Sequence, residues 1–358
     1  MAVHFHPLKV KKIVKETPDC VSVSFWVPDE LKTIFSYEHG QNIAIRKIFD
    51  AAEIRRNYSI CAAPHENELK VAIKKVEGGL FSGFANENLK AGDELEVLPP
   101  TGKFNTPLHK AQKKSYLAFA AGSGITPVIS IIKSTLQTEP KSDFTLVYGN
   151  KSLASVIFFE ELEGLKNKYL DRFQLINILS REQTETALNY GRINKEKLES
   201  LQKLIDYNRM DEFFICGPEQ MIFTVKDFLL ENKIDPKKIH YELFTTPGEK
   251  IIKPTAKAAA KPTGPQSHIT VKLDGRSFSF YLSADGESIL DAALKQGADL
   301  PYACKGGVCC TCKAKLMQGR VKMDENWGLE DEEVEQGYIL TCQSHPVSGD
   351  IVVDFDIK

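Results

Sequence analysis

The first hundred residues carry short runs in which apolar and polar side chains alternate, with glycine and proline between them. Cys20–Val27 and Asn42–Ile45 are two of these runs. A period of two places alternate side chains on one face, which is typical of antiparallel strands that bury one side. Several such strands, punctuated by turn residues, predict an antiparallel β-barrel over residues 1–106.

From residue 107 to residue 247 the pattern changes to continuous apolar runs that alternate with helical segments. The first apolar strand runs into a glycine turn at Gly122 and then an apolar helix from Val128. Three more buried strands are predicted at Phe144–Tyr148, Phe173–Leu179 and Glu212–Cys216. Strands that alternate with helices predict an α/β domain with an open parallel sheet, whose carboxyl-terminal strand ends share one ligand-binding edge.

Residues 248–267 contain few large apolar side chains. Such a segment buries too little surface to offset the entropy lost on ordering, so it predicts a flexible linker. Beyond it, Ile269–Leu273 and Ser277–Tyr281 alternate in the pattern of a β-hairpin. A short helix over Glu287–Gln296 and a strand over Ile351–Phe355 complete a small α+β domain of the β-grasp kind over residues 268–358.

Length and charge narrow the class of protein. The chain has 358 residues, enough for two or three domains that each bury a core. Its net charge of −2, without a basic patch interleaved with aromatic side chains, argues against nucleic acid as a partner. No run reaches the ~18 apolar residues of a membrane helix, and the amino terminus lacks a secretory pattern. We therefore expect a cytoplasmic protein without a membrane partner.

The chemistry-bearing residues are densest in one loop near the carboxyl terminus. Cys304, Cys309 and Cys312 are separated by four and then two residues, and Cys342 follows thirty residues later. This spacing is typical of plant-type [2Fe–2S] ligands, and Gly306-Gly307 lets backbone N–H groups turn toward the cluster. The four cysteines are therefore predicted to be metal ligands.

A structural zinc site and a disulfide framework are the alternative interpretations of these cysteines. Zinc sites usually use two close-spaced pairs, whereas Cys342 has only His345 as a nearby candidate ligand. Disulfides need an oxidising compartment, and no secretory segment indicates one. Cys310 is left as a packing residue or an exposed thiol.

Two groups of residues in the predicted barrel suit a flavin nucleotide. Arg56 offers a fork for a pyrophosphate, Tyr58 a flat ring for an isoalloxazine, and Ser59 a hydroxyl for a flavin nitrogen or carbonyl. Gly79 and Ser82 lie where a helix can begin, and its free N–H groups would receive a second phosphate oxygen. An ordinary half-buried strand is the alternative for the first group.

The glycine turn after the first parallel strand predicts a second nucleotide site. Gly122 and Gly124 allow a pyrophosphate to approach, and the following helix points its amino terminus at the anion. Cys216 stands before Gly217-Pro218 at another strand end, which favours a functional role over that of a small buried residue.

Together these motifs resemble the ferredoxin–NADP reductase superfamily fused to a carboxyl-terminal plant-type ferredoxin, over essentially the full length. Arg56–Ser59 resembles its R-x-Y-S flavin motif, and Gly79–Ser82 its G-x-x-S phosphate contact. Gly122–Pro127 resembles its nicotinamide-dinucleotide loop, and Cys216–Pro218 its C-G-P site beside the nicotinamide. The resemblance implies a multidomain electron-transfer reductase that uses FAD, a [2Fe–2S] cluster and NADPH, with NADH as the alternative donor.

Residues 286–309 and 350–356 are similar to the reductase subunits of phenylacetyl-CoA epoxidase complexes. The electron acceptor implied is the di-iron oxygenase component of a multicomponent monooxygenase. The resemblance gives catalytic roles to Ser59 and Cys216 and cluster-ligand roles to Cys304, Cys309, Cys312 and Cys342. The cofactor-binding residues that it implies are Arg56, Tyr58, Ser59, Ile60, Lys74, Gly79, Ser82, Gly122, Gly124, Thr126, Pro127, Ser180, Arg181, Cys216, Gly217, Pro218 and Phe244.

The expected reaction passes hydride from a nicotinamide near Cys216 and Thr126 to a flavin near Ser59. Tyr58 is expected on one flavin face and Phe244 on the other. FAD must stand between the nicotinamide and the cluster, because hydride carries two electrons and a [2Fe–2S] cluster accepts one.

Ser180, Arg181 and Lys151 are expected to clasp a ribose 2′-phosphate, which favours NADPH. A solvated loop end is the alternative for Arg181. The acidic run Asp324–Glu335 is either a solvated loop or a docking surface for a positively charged partner. Two other functions fit the same motifs: the reductase of another ring- or alkyl-hydroxylating oxygenase, and a redox sensor.

Overall fold

The computed structural model describes residues 4–50, 52–184, 186–244 and 266–357. Most of the predicted linker, from residue 248 to residue 265, lies outside these ranges. The chain divides into two compact units, which do not follow the chain order. The smaller unit comprises Met1–His6, Ala44–Asn57 and Phe244–Lys358, and the larger one Pro7–Ile43 and Tyr58–Leu243.

The strands of the described residues are β1 (His6–Thr17), β2 (Cys20–Trp26), β3 (Asn42–Phe49), β4 (Ala52–Ser59), β5 (Leu69–Lys74), β6 (Glu94–Val97), β7 (Ser115–Ala121), β8 (Asp143–Asn150), β9 (Phe173–Leu179), β10 (Glu212–Cys216), β11 (Ile239–Glu242), β12 (Gln266–Leu273), β13 (Arg276–Ser283), β14 (Lys313–Gln318), β15 (Val321–Met323), β16 (Tyr338–Leu340), β17 (Ser344–Pro346) and β18 (Asp350–Asp354). The α-helices are α1 (Leu80–Glu87), α2 (Ile125–Thr138), α3 (Phe159–Lys168), α4 (Lys195–Leu201), α5 (Glu219–Glu231), α6 (Ile289–Lys295) and α7 (Asp331–Glu335).

The larger unit begins with antiparallel strands in the order β6-β1-β2-β5. In the register of this sheet, Ile13 lies opposite Val23, and Val23 lies opposite Val71. These apolar pairs bury one another, as the alternating pattern of the sequence predicted. The antiparallel sheet expected in the amino-terminal part of the chain is therefore confirmed.

A parallel sheet in the order β11-β10-β7-β8-β9 forms the rest of the larger unit. Its strands are continuous apolar runs because helices cover the sheet, and β7 is buried from Tyr116 to Ala120. Ala120 pairs with Tyr148 on one side and with Cys216 on the other, so the carboxyl ends of β7, β8 and β10 share one edge. This edge was predicted, whereas the edge strand β11 was not.

One apolar core joins the two sheets of the larger unit. The stacked rings of Tyr116 and Phe144 lie 5.7 Å apart beneath α2, which is buried along nearly all of its length. Phe104, which follows β6, contacts Phe214 of β10 edge to face at 5.4 Å. The strand-to-helix turn that begins α2 therefore lies on a closely packed support.

The smaller unit holds a mixed sheet in the order β13-β12-β18-β14-β16, packed on α6. β12 pairs antiparallel with β13 and parallel with β18, as expected for a β-grasp arrangement. Ser288 caps α6 by accepting a hydrogen bond from the Asp291 backbone N–H. This cap starts the helix two residues later than the sequence pattern predicted. Most of β3 and β4, which pair with each other, also belongs to this unit.

The expected multidomain fold class is thus confirmed, while the exact domain boundaries stay a prediction. None of the helices in the described ranges combines the length and the apolar character needed to span a membrane.

Candidate functional site

The turn between β7 and α2 has the backbone form that a phosphate-binding loop needs. Gly122 has a φ of 52°, in the left-handed region that favours glycine, and the Tyr148 hydroxyl donates to its carbonyl oxygen at 2.9 Å. Thr126 donates through Oγ1 to the Ser123 carbonyl at 3.0 Å, which fixes the first turn of α2. The predicted residues Gly122, Gly124, Thr126 and Pro127 therefore lie together at the amino terminus of a 14-residue helix.

A lysine ammonium lies beside this turn. A Cβ placed on Gly122 would lie 4.0 Å from the Lys74 Nζ atom, so the positive charge stands next to the glycine. Lys74 also pairs with Asp19 at 3.5 Å. A helix amino terminus, a glycine turn and a lysine together suit the pyrophosphate of a dinucleotide.

Gly124 brings the ends of two parallel strands into backbone contact. A Cβ at this position would overlap the carbonyl oxygen of Cys216 and would lie 2.7 Å from the backbone nitrogen of Gly217. Gly217 in turn packs on Ala121, whose Cβ would lie 3.1 Å from a Cβ at residue 217. Glycines at these positions therefore let the C-G-P segment approach the nucleotide turn.

Ser59 and Cys216, the two predicted catalytic residues, are linked by a glutamate that the sequence analysis did not select. Ser59 donates through Oγ to Glu242 Oε2 at 3.1 Å. In the parallel register Cys216 lies opposite Glu242, which ends β11. Ser59, Glu242 and Cys216 therefore form one cluster at the carboxyl edge of the sheet.

Burial dominates the acid–base character of this cluster. It raises the pKa of Glu242 to about 7, although hydrogen bonds from Ser59 and Asn42 oppose the shift. Cys216 has no exposed surface, and burial followed by the Glu242 charge raises its thiol pKa well above the usual value. Cys216 is therefore a neutral thiol at neutral pH, while Glu242 can hold or release a proton.

Glu242 was missed because β11 is only four residues long and its apolar pattern is short. A signal was present in the chain. The first four parallel strands each deliver polar or glycine residues to the sheet's carboxyl edge, and a fifth short strand that ends in glutamate would do the same.

The predicted flavin residues lie on β4, on β5 and at the start of α1. Arg56 is exposed, and the Tyr58 ring, half-buried, lies 5.7 Å from the ring of Phe81. Ile60 is fully buried and forms an isolated bridge with Val71. Gly79 is the residue before α1, and Ser82 Oγ accepts from the Val76 backbone N–H at 3.1 Å.

These residues fit a flavin dinucleotide, because some of their hydrogen-bonding groups have no partner in the part of the chain that the structure describes. The first N–H groups of α1 have no partner within the helix, so they can donate to a phosphate oxygen. Asn57, between Arg56 and Tyr58, has a buried side-chain oxygen that finds no hydrogen-bond partner among the described residues. A bound polar ring would supply the missing donor.

A cleft of about 510 Å³ lies beyond the carboxyl end of β9. Arg181, Thr184, Thr186 and Tyr190 are among the side chains that line it. Ser180 donates through its backbone N–H and through Oγ to the Asn150 carbonyl, at 2.9 and 3.2 Å. The predicted residue Arg181 is therefore part of a cleft at the carboxyl end of β9, together with hydroxyl groups and an aromatic ring.

The four predicted cluster ligands form two thiol pairs in the smaller unit. Cys309 donates to Cys304 at an Sγ–Sγ distance of 3.1 Å, and Cys312 shares a hydrogen bond with Cys342. The Cys309 hydrogen bond lowers the pKa of Cys304 to about 6; burial opposes this shift, and backbone N–H groups that include Gly306 support it. The Cys312 hydrogen bond, with further donors from Gly307 and Gln343, lowers the pKa of Cys342.

Two thiol pairs with backbone donors fit a centre that contains two irons, each held by two cysteines. The described residues hold no group of three or more histidine, cysteine or acidic side chains arranged for one metal ion. Gly307 has a φ of 73°, and a Cβ there would lie 2.9 Å from the Glu325 carbonyl oxygen. The loop can therefore turn its amides toward sulfur only with glycine at this position.

The fifth cysteine of the cluster region, Cys310, and the acidic run are the two remaining features of the smaller unit. Cys310 is half-buried, and none of the eight cysteines, all within the described ranges, forms a disulfide. Within the acidic run, Glu333 is buried and pairs with Lys313 at 2.9 Å, so this part of the run is not a solvated loop.

Comparison with known families agrees with the geometry of each site. Residues 7–106 match the oxidoreductase FAD-binding domain family, and residues 119–227 match the oxidoreductase NAD-binding domain family. Residues 271–347 match the 2Fe–2S iron–sulfur cluster binding domain family. FAD, a nicotinamide dinucleotide and a [2Fe–2S] cluster are thus the cofactors of this chain.

Known proteins resemble the chain over its whole length. It is 46% identical to a subunit of the 1,2-phenylacetyl-CoA epoxidase of Escherichia coli (strain K12). The alignment covers 99% of this chain and 98% of that subunit. It is 34% identical to the ferredoxin reductase component of 3-ketosteroid-9-alpha-monooxygenase of Rhodococcus rhodochrous, covering 97% and 96% of the two chains.

Among solved structures, phthalate dioxygenase reductase has a similar fold, with a TM-score of 0.59, 23% identity and 98% coverage of both chains. The FAD-binding, NAD-binding and 2Fe–2S domains thus occur in one chain, as they do in relatives that serve oxygenases. The chain therefore belongs to the family of iron–sulfur flavoprotein reductases that pass electrons to the oxygenase component of multicomponent oxygenases.

Proposed function

We propose that this chain takes electrons from NADPH and delivers them to the di-iron oxygenase component of a phenylacetyl-CoA epoxidase. One observation carries the assignment of the reaction: the meeting of Ser59, Glu242 and Cys216 at the edge of the parallel sheet. The choice of acceptor is supported by 46% identity to a component of a phenylacetyl-CoA epoxidase over 99% of the chain.

When bound, FAD accepts hydride from a nicotinamide and releases its electrons singly to a [2Fe–2S] cluster. Ser59 would orient the flavin through its hydroxyl, which the Glu242 carboxyl holds in place. With a pKa of about 7, Glu242 can carry a proton on a carboxyl oxygen near neutral pH and so can donate or accept in this contact. The neutral Cys216 would pack beside the nicotinamide without adding charge.

The other residues would bind and position the cofactors. The proposed flavin contacts are Arg56, Tyr58, Ile60, Gly79 and Ser82. The proposed nicotinamide-dinucleotide contacts are Lys74, Gly122, Gly124, Thr126, Pro127, Ser180, Arg181, Gly217 and Pro218. Phe244, whose side chain is 42% exposed, stays the candidate for covering the second flavin face. The proposed cluster ligands are Cys304, Cys309, Cys312 and Cys342.

Arg181 is proposed to select NADPH over NADH through the ribose 2′-phosphate. Its guanidinium lines the cleft beyond β9 with Thr184 and Thr186, and charge-assisted hydrogen bonds of this kind contribute about 1.5–3 kcal/mol. Arg181→Ala should therefore raise the KM for NADPH at least about tenfold and leave the KM for NADH nearly unchanged.

Arg209→Ala is the matched control for this measurement. Arg209 is also an exposed arginine of the larger unit, but it precedes β10, at the amino end of that strand rather than its carboxyl end. Equal losses for NADPH and NADH in Arg181→Ala, or a similar loss in Arg209→Ala, would remove the 2′-phosphate assignment.

Reconstitution tests the proposed acceptor. The purified FAD- and cluster-loaded protein would be mixed with NADPH, phenylacetyl-CoA and its oxygenase component, and epoxide formation would be followed together with NADPH oxidation. We expect tight coupling with this oxygenase and much slower turnover with a 3-ketosteroid or ring-hydroxylating oxygenase. Faster coupled turnover with another oxygenase would reassign the acceptor. A fully loaded protein that reduces no oxygenase and no artificial acceptor would favour a redox sensor.

The cellular location stays part of this proposal. A cytoplasmic protein would keep its cysteines reduced, and the described thiols form no disulfide. Fractionation of a producing cell, followed by measurement of the cluster absorption in each fraction, tests the location directly.

A further inference from the structure

Arg55, on β4, is a buried cation that the reaction described above does not use. Its side chain is 5% exposed, although arginine is normally a surface residue. Nε donates to Glu53 Oε1 at 2.7 Å, which gives the buried charge one carboxylate partner on the same strand. Removing one partner of a buried guanidinium is costly, because the charge is then left without compensation. The other partners of Arg55 therefore indicate which part of the chain it fixes in place.

Three further partners of Arg55 belong to the segment that leads into the cluster loop. Nη1 donates to the Leu300 carbonyl oxygen at 3.2 Å, and Nη2 lies 3.7 Å from a carboxylate oxygen of Asp299. The guanidinium carbon lies 3.8 Å from the centre of the Tyr302 ring. Arg55 thus contacts Asp299, Leu300 and Tyr302, immediately before Cys304.

Two neighbouring side chains add to the contact between Arg55 and the segment before Cys304. The Tyr302 hydroxyl donates to Glu53 Oε1 at 3.1 Å, so one carboxylate oxygen joins Arg55 and Tyr302. Phe5 lies on another side of the guanidinium, with its ring centre 4.8 Å from the carbon. The clamp, defined as Glu53, Arg55 and Tyr302, therefore combines charge-assisted hydrogen bonds with stacking.

The position of the clamp along the chain relates it to both electron carriers. Arg55 directly precedes the proposed flavin residues Arg56–Ser59 on the single strand β4, and Tyr302 is two residues before the proposed ligand Cys304. Ala44–Asn57 also falls in the same compact unit as the 2Fe–2S domain. A strand of the flavin-binding domain is therefore tied directly to the cluster-bearing segment.

Building on the proposed function, we propose that the Arg55 clamp holds the 2Fe–2S domain in the position in which it receives electrons from the flavin. The step concerned moves one electron from FAD reduced by NADPH to the oxidised cluster, and no bond forms or breaks. Arg55 is a positioning residue, because it contacts the segment before the ligand loop and none of the proposed ligands.

Arg55→Ala, Arg55→Lys and Glu53→Gln test the clamp in the holoenzyme by anaerobic stopped-flow spectroscopy. We expect unchanged reduction of FAD by NADPH in all three variants.

Electron transfer from FAD to the cluster should slow about tenfold or more in Arg55→Ala, because fewer molecules then hold the 2Fe–2S domain in the position that receives electrons. Arg55→Lys should restore part of the rate, since lysine keeps the charge but not the planar fork. Glu53→Gln should slow transfer about threefold.

Two further measurements separate positioning from damage to the cofactors. The electron paramagnetic resonance spectrum of the reduced cluster should be the same in the variants and the wild type. Amide hydrogen exchange over Asp299–Ala303 should quicken at least about tenfold in Arg55→Ala. Arg320→Ala, which removes an exposed arginine of the same unit, is the control and should leave exchange and transfer unchanged.

Each outcome decides one of the two proposals. Wild-type transfer rates in fully loaded Arg55→Ala and Glu53→Gln would overturn the clamp. If Arg55→Ala fails to fold or loses a cofactor, the milder Glu53→Gln and Arg55→Lys variants decide, and wild-type transfer in both would overturn it. Failure of the loaded wild-type protein to take electrons from NADPH would instead overturn the proposed function.

Discussion

Glu242 shows how one buried carboxyl can set the properties of a reaction site. Its charge faces Ser59 and Cys216 rather than water, and burial raises its pKa from the usual 4.5 to about 7. The unfolded chain would ionise the same group at much lower pH. Folding therefore depends on pH through this one residue, in a range where the reductase has to work.

We expect the Glu242→Gln variant to reveal this dependence. The contribution of the protonated carboxyl to stability is fully present below pH 4.5 and is lost as the pH rises to about 7, because only the unfolded state ionises over this range. Relative to the wild type, Glu242→Gln should therefore gain stability from pH 5 to pH 8, by at most about 3 kcal/mol. Urea unfolding of FAD-free protein at several pH values measures this gain.

Glu94→Gln, at the exposed start of β6, is the control for Glu242→Gln. The stability difference between Glu94→Gln and the wild type should stay nearly constant over the same pH range. A constant difference for Glu242→Gln as well would show that its carboxyl is not held protonated by burial.

At the scale of elements, the site depends on the close approach of β7, α2 and β10. Parallel strands bring their carboxyl ends to one edge, but side chains would normally keep the connecting turns apart. Gly124 removes the side chain where its turn meets the backbone of Cys216 and Gly217. The Cys216 carbonyl belongs to the backbone and cannot rotate out of the way as a side chain could. A Cβ at residue 124 would therefore force the backbone to shift.

Gly124→Ala should lower the free energy of unfolding by about 3 kcal/mol, at the upper end of the cost of overpacking, and should weaken nicotinamide-dinucleotide binding. Gly164→Ala is the matched control, since Gly164 is an exposed position within α3 where a Cβ would meet no atom within 4 Å. That substitution should stabilise the protein by about 0.5–1 kcal/mol through helix propensity. Denaturant unfolding of both variants checks the difference, and equal stabilities would contradict the packing argument.

At the scale of the whole molecule, the chain joins a carrier of electron pairs to a carrier of single electrons. The larger unit holds the parallel sheet with its nucleotide turn, and the smaller unit holds the two thiol pairs. Loss of one of these thiols should therefore abolish one-electron transfer through the cluster and leave the reduction of FAD by the nicotinamide intact. Reduction of FAD needs none of these thiols, whereas reduction of a one-electron protein acceptor needs the cluster that they would hold.

Cys309→Ser should remove the brown cluster absorption and about 99% of cytochrome c reduction, while NADPH-dependent reduction of ferricyanide through FAD continues. Cys310→Ala should keep both activities and the cluster spectrum, because the spacing of four and then two residues places the loop's ligands at Cys304, Cys309 and Cys312. Visible spectra and iron content, measured with both acceptors, test these outcomes. Cluster loss in Cys310→Ala with retention in Cys309→Ser would reverse the ligand assignment.

Much of the fold could be predicted because its elements have strong local signals. β9 and β10 have the predicted boundaries, and the alternating runs around Asp274-Gly275 form the β12–β13 hairpin. α2 begins at Ile125, three residues before the predicted start, because the glycine turn continues directly into the helix. The short strand β11 carried too few residues for its periodicity to be recognised.

The sequence alone determined the cofactor classes, because cysteine spacing, glycine turns and strand patterns are local properties of the chain. The residues that it selected at the parallel-sheet edge lie where their strands end, while their contacts with a cofactor stay a prediction. Tertiary structure decided which distant groups meet: Glu242 joins Ser59 to Cys216, and Arg55 joins β4 to the segment before Cys304. The physical reason is that burial, pKa and ion pairing depend on neighbours far apart in the chain, which no local pattern specifies.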